Sequence, residues 1–317
     1  MVDLPFFKEK IKDFLHFLEI EKNVSNNTLR AYESDLTQLT LFWEGITSKE
    51  SHAQHSFETI IKRYTVALFY KKITKTSLSR KLSTLRSLSN FLKTQGIILP
   101  YSIKSPRLDK KLPITLSVDE IFYLLDTIKI EDLPSKYPYR DKAIFEVAYA
   151  TGVRCSELVG IKQGEISFNE RSIKVYGKGR RERIVLFGLK ALEAIKQYLE
   201  HERPLMLKQQ QHDHLFLNCN GTPLTARSVQ RIFEMFRKFL KLDRKLTPHK
   251  IRHSFATHLL NQGVNLRVIQ ELLGHKTIAT TEIYTHVTNQ QLAKMCDEKH
   301  PLNNLVNNLD PLMKDNR

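Results

Sequence analysis

The chain has 317 residues, 41% hydrophobic and 26% charged, and its 50 basic against 34 acidic side chains leave a formal charge of +16 with histidine neutral. That hydrophobic content excludes a disordered chain, and the length passes the roughly 250–300 residues at which one core stops growing, which favours two domains. A positive excess of this size points to a polyanionic partner, nucleic acid ahead of an anionic membrane surface.

From the amino terminus, Met1 to Leu15 interleaves Asp3, Lys8, Glu9, Lys10, Lys12 and Asp13 with its apolar residues, so it lacks the unbroken apolar run of a signal peptide. No run of about 18 apolar residues offers a spanning helix. Ser25 predicts an N-cap before a helix carrying Leu29, Tyr32, Leu36 and Leu39, with Trp43 closing the stripe as a core residue. From Thr59 to Leu108 there is no Asp or Glu against eleven Lys and Arg. Within that window Leu78, Leu82, Leu85, Leu88 and Leu92 recur at helical spacing, while Arg80, Lys81, Arg86 and Lys93 fall largely off the stripe. The first hundred or so residues are therefore expected to form a small helical bundle with one basic surface.

Gly96, Pro100, Pro106 and Pro113 break the pattern, and Lys104, Arg107, Lys110 and Lys111 make residues 104–113 a basic linker. Ser117 with Glu120 three residues on is a capping-box signature opening a second domain near Ile114. A helix is predicted from Arg140 to Ala150, ending near Gly152, and a β-hairpin from Ser172–Tyr176 and Glu182–Phe187, joined by Gly177-Lys178-Gly-Arg-Arg. From Leu189 the periodicity is mostly helical, with a turn at Asn218 to Pro223 and a helix introduced by Thr247 and Pro248. Cys155, Cys219 and Cys296 have no finger or CxxC spacing and are expected as reduced thiols or small apolar fillers.

Taken singly, the polar residues of the second domain have ordinary explanations: Arg154 as an ion-pair residue at a helix start, Lys178 as a solvated turn lysine, His249 as a structural histidine. His249 and His253 stand four apart like a zinc pair, but no glutamate base accompanies them and Arg252 sets a cation beside them, so no metal is expected. Together with Leu272-Leu-Gly-His275 and Ile283-Tyr284-Thr-His286, these residues form an inventory suited to phosphodiester cleavage without a metal. Guanidinium forks match phosphate oxygens, a phenol can act as a covalent nucleophile, and a hairpin lysine can protonate a leaving oxygen.

Five motifs in order, Ala150-Thr-Gly-Val-Arg154-Cys-Ser-Glu157-Leu, the Gly177-Lys178-Gly-Arg-Arg turn, Thr247-Pro-His249-Lys-Ile-Arg252-His-Ser-Phe-Ala-Thr-His-Leu-Leu260, Leu272-Leu-Gly-His275 and Ile283-Tyr284-Thr-His286, resemble the tyrosine recombinases, most closely the bacterial Xer type. Ser25-Asn-Asn-Thr-Leu-Arg-Ala-Tyr32 and Leu82-Ser-Thr-Leu-Arg86 resemble that family's core-binding domain. The resemblance implies a mainly α fold: a helical, SAM-like core-binding domain (residues 1–103), the linker (104–113), an α+β catalytic domain with a small sheet (114–300) and a tail (301–317). It implies that Tyr284 attacks the scissile phosphate to leave a 3′-phosphotyrosyl linkage, that Arg154 and Arg252 clamp the nonbridging oxygens, and that His249 assists proton transfer or holds the phosphate. Lys178 is then the general acid toward the 5′ oxygen, His275 a hydrogen-bond donor to the phosphate, and Glu157 a supporting carboxylate. Arg80, Lys81, Arg86, Lys104 and Arg107 are the expected DNA-binding cations, the two domains closing on the duplex as a clamp.

The resemblance further implies a duplex partner with a specific recombination site, a homo- or hetero-tetramer with a paired recombinase, a cytoplasmic setting, no cofactor and regulation by a division-linked DNA translocase. Only 24 residues precede Ser25, too few for the added arm-binding domain of a phage integrase, so the resolution of chromosome dimers is the expected role. A plasmid or transposon enzyme of the family, a type IB topoisomerase and a catalytically silent DNA-binding relative are the alternatives. Leu302, Leu305, Val306, Leu309 and Leu312 suit either a helix packed on its own domain or a tail docked on a neighbouring protomer.

Overall fold

Asp3 accepts a hydrogen bond from the Phe6 amide at 2.9 Å, and with Pro5 in the first turn it starts α1, Leu4–Ile20. In the computed structural model, residues 3–49, 55–99, 116–177, 182–207, 212–243 and 245–274 are described, divided between two units, Met1–Leu112 and Pro113–Arg317. The first unit continues with α2 (Asn26–Lys49), α3 (Phe57–Tyr70) and α4 (Lys75–Thr94). Ser25, Ser56 and Thr74 each accept from the amide three residues on, satisfying one of the donors a helix start leaves open. The apolar stripes meet in one core in which Trp43, Phe7 and Phe57 lie with ring centroids 5.4–5.9 Å apart, each such side chain contributing roughly 1.5–3 kcal/mol by burial.

Lys81 departs from the expected DNA-binding set. Lys81 is not on the basic surface but buried, its ammonium donating to Asp35 Oδ1 at 2.9 Å and Gln38 Oε1 at 2.8 Å. Asp35 on α2 is itself buried and also accepts from Thr84 and from Arg80, whose side chain is half exposed. A buried carboxylate needs paired charge to stay ionised, and this pulls Lys81 inward despite its place off the leucine stripe. Arg86 on the same helix is exposed. Lys104 and Arg107 lie outside the described residues, as do the whole linker and the whole tail.

In the second unit the capping box is present: Ser117 accepts from the Glu120 amide, and Glu120 accepts from that of Ser117. α5 (Val118–Phe122) runs into a π-helical turn, Tyr123–Thr127. α6 (Pro138–Thr151) is buried on every side rather than along one stripe, which makes it the central helix of this unit. The backbone amides of Tyr139 and Arg140 at its start donate to Glu202, an anion at a helix N-terminus. Around α6 follow α7 (Cys155–Gly160), an antiparallel sheet of β1 (Ile166–Ser167), β2 (Ser172–Tyr176) and β3 (Glu182–Leu186), and α8 (Leu189–His201). α9 (Arg203–Leu207), α10 (Ala226–Phe239), α11 (Pro248–Asn261) and α12 (Leu266–Leu273) follow. The hairpin pairs Ile173 with Val185 and Val175 with Arg183.

Candidate active site

α6 ends at Gly152, whose φ of +58° is the left-handed conformation that glycine adopts without a Cβ penalty. A side chain there is also excluded by packing, since its Cβ would lie 2.6 Å from Phe255 and 2.8 Å from Leu273. This tight turn holds Arg154 at the N-cap of α7, with α11 and α12 against the turn. The Arg154 amide donates to Glu157 Oε2 and its guanidinium to Glu157 Oε1, both at 2.8 Å. Thr247 caps α11, and one turn in, Arg252 is buried, its Nη1 donating to the Gly152 carbonyl at 2.6 Å and its Nη2 to that of Leu273 at 2.5 Å.

A third arginine joins them. Arg183 on β3 lays a two-point fork on Glu157, Nη1 to Oε1 at 2.9 Å and Nη2 to Oε2 at 2.8 Å, while its Nε donates to the Leu272 carbonyl at 3.4 Å. Arg154 Nη2 reaches the Gly274 carbonyl at 3.3 Å. The carbonyls of Leu272, Leu273 and Gly274, left open at the end of α12 and carrying the negative end of its dipole, thus each receive a different arginine.

The charges are strongly coupled. Burial by itself pushes the Glu157 carboxyl up, but the hydrogen bonds from Arg183 and Arg154 overcome it and hold the group at about 2. Arg252 is pushed down to about 10 by burial, then by the Arg154 and Arg183 guanidiniums, with Glu157 acting in the opposite sense. It remains a cation at neutral pH. Three guanidiniums around one carboxylate leave a positive centre, and each terminal nitrogen carries two hydrogens of which one is used here. Such a centre suits an anion with several oxygens, a phosphate above all.

Of the sequence-predicted residues, Arg154, Glu157 and Arg252 are brought together. His249 is exposed and lies one turn before Arg252 on α11, hence on the same helix face. Lys178, His275 and Tyr284 lie outside the described residues; Lys178 falls between the ends of β2 and β3, and His275 directly follows Gly274 in the chain. His258 is buried, with Nε2 donating to the Leu116 carbonyl at 2.8 Å and Nδ1 accepting from the Tyr149 hydroxyl at 2.9 Å. Among the described residues no three His, Cys, Asp or Glu side chains are grouped to hold a metal, and no helix is long and apolar enough to cross a membrane. Arg183 is absent from the sequence-derived set. Its one signal was its place two residues before the buried Val185, a charge on the inward phase of a strand whose outward phase carries the exposed Ile184.

The chain is similar in sequence and fold to known proteins. The phage integrase family matches residues 115–291, and the phage integrase N-terminal SAM-like domain matches residues 11–96. The chain is 37% identical over 294 residues to the tyrosine recombinase XerD of Halalkalibacterium halodurans, covering 92% of this chain and 97% of that one. It is 40% identical over 298 residues to the tyrosine recombinase XerC of Staphylococcus epidermidis, covering 92% and 98%. Among solved structures, the XerH site-specific recombinase bound to its difH substrate is similar in fold, with a TM-score of 0.66 and 21% identity over 93% of this chain and 96% of that one. The Tn1549 transposon integrase in complex with circular intermediate DNA gives a TM-score of 0.64 at 18% identity, over 91% and 99%.

Proposed function

The chain belongs to the phage integrase family as a Xer-type tyrosine recombinase, a site-specific DNA strand transferase, and we propose that Arg154, Arg252 and Glu157 form the phosphate clamp of that reaction. The observation that carries this is the convergence of Arg154, at the N-cap of α7, and Arg252 on α11 at neighbouring carbonyls at the C-terminal end of α12, with Glu157 saturated beneath them. The two guanidiniums bind the nonbridging oxygens and offset the negative charge that gathers there in the transition state. The Tyr284 oxygen forms a bond to phosphorus as the bond to the 5′ oxygen breaks, and that oxygen takes a proton from Lys178. His249 assists the departure of the phenolic proton, and His275 donates to the phosphate. Attack by the 5′ hydroxyl of a partner strand on the phosphotyrosyl linkage reverses the step and frees the tyrosine, so one phosphodiester is exchanged for another with no external energy source.

The substrate is duplex DNA with a specific recombination site, bound by a tetramer with a paired recombinase in the cytoplasm, and the outcome is resolution of chromosome dimers at division under a DNA translocase. The XerC and XerD names of the curated relatives support this assignment. The leucine-patterned tail supports the tetramer by docking on a neighbouring protomer, and deletion of residues 302–317 should abolish cooperative DNA binding.

The decisive experiment uses duplexes that the protein itself selects from a randomised pool, nicked near the bound site and incubated in chelator. A covalent protein–DNA adduct on a denaturing gel, abolished by Tyr284→Phe, is expected. An adduct that requires a divalent metal, or one that persists in the variant, would overturn the mechanism. Relaxation of supercoils without strand exchange would point instead to a topoisomerase.

A further inference from the structure

The clamp just described leaves Arg183 without a role, although its side chain is only 16% exposed and its fork occupies both oxygens of Glu157. We propose that Arg183 is a positioning residue for strand transfer, which fixes the Arg154 guanidinium through Glu157 and braces the end of α12. This rests on the role assigned above to Arg154.

Without Arg183, Glu157 has Arg154 as its charged partner, and the Arg154 side chain is 43% exposed. With its arginine so open to water, this i,i+3 contact alone leaves the guanidinium poorly fixed. The Glu157 side chain is only 1% exposed, so a carboxylate stripped of its fork must either take up a proton or turn toward water. Either change releases Arg154 from its present orientation. The Arg183 fork prevents this because a planar guanidinium matches both carboxylate oxygens at once, which an ammonium cannot do.

The surrounding chain enforces that orientation. In β3, Arg183 pairs with the buried Val175. On its other side it lies across Gly274, where a Cβ would meet its Cδ, Nε and Cζ at 3.1–3.3 Å. Its terminal nitrogens are directed at Glu157 and its Nε at the Leu272 carbonyl. Both of its terminal nitrogens engage Glu157, and through that carboxylate it reaches Arg154.

The test is a double-mutant cycle of Arg183→Gln and Glu157→Gln. Single-turnover adduct formation is read at saturating protein on the selected nicked duplex, with DNA affinity and thermal melting measured in parallel. Arg183→Gln should slow adduct formation on the order of a hundredfold, as expected when a reacting group is displaced by about an ångström, with affinity nearly unchanged. Arg183→Lys, which keeps the charge but not the fork, should recover only part of that rate. In the Glu157→Gln background the same substitution should cost far less, because the path it acts through is already broken. An equal loss in both backgrounds, full recovery with lysine, or a loss explained by weaker DNA binding or melting would overturn the inference. If Arg183→Gln does not fold, Arg183→Lys takes its place in the cycle. A wild-type chain that forms no adduct overturns the strand-transfer assignment and this inference with it, whereas an undiminished rate in Arg183→Gln overturns this inference alone.

Discussion

Arg252 is the side chain on which most of the clamp depends. It is buried and bridges the Gly152 and Leu273 carbonyls, so it ties the end of α6 to the end of α12 while keeping further N–H groups for a ligand. Arg252→Lys keeps the cation but cannot span both carbonyls with directed donors. Covalent-adduct formation is expected to fall by about 10²–10³, the usual loss on removing one preorganised donor, with little change in DNA affinity. Rapid-quench assay of the adduct at saturating protein checks this. Glu157 sets an acid limit on the same cluster. Its folded value of about 2 lies below the ordinary 4.5, so its contribution to stability is complete above 4.5 and is lost as pH falls through about 2. The carboxylate therefore stays ionised at neutral pH.

At the scale of elements, α6 holds the site by being buried on all sides, and this burial traps Glu146. The carboxyl is pushed up to about 8, by burial first and then by the Asp126 carboxylate, with Lys142 and Lys190 working against both. A folded value above the unfolded one gives a stability contribution that is full below the ordinary 4.5 and lost as pH rises through about 8. Glu146→Gln should therefore be more stable than the parent at pH 9 relative to pH 5, and melting curves across that range measure it; parallel pH dependences would sink the idea. The helices α2, α4 and α6, the hairpin and the Ser117 capping box were legible because each follows from neighbours within a few residues. The inward turn of Lys81 depends on Asp35, 46 residues away, and the Arg183 fork on Glu157, 26 residues away. Local periodicity carries no information about such pairs. Arg154 and Arg252 were legible as motif residues, but their meeting at the carbonyls of α12 is a tertiary fact.

For the molecule as a whole, the charge of +16 divides into cations that hold the fold, cations that form the clamp, and those left to meet the DNA backbone. Counterion release makes the last group measurable, because the logarithm of affinity falls with the logarithm of salt by about 0.9 for each phosphate neutralised on B-form DNA. Arg86 is exposed on α4, so Arg86→Ala should reduce the slope by about 0.9 while leaving folding intact. Lys81 carries the same formal charge five residues earlier on the same helix, but its ammonium is spent on Asp35 and Gln38. Lys81→Ala should leave the slope unchanged and destabilise the first unit by about 3 kcal/mol, as removal of one partner from a buried pair does. Fluorescence anisotropy of a labelled duplex across a salt series, with denaturant unfolding alongside, separates the two. A slope that drops equally for both variants would mean that Lys81 leaves Asp35 to meet the DNA, and the division of charge would have to be redrawn.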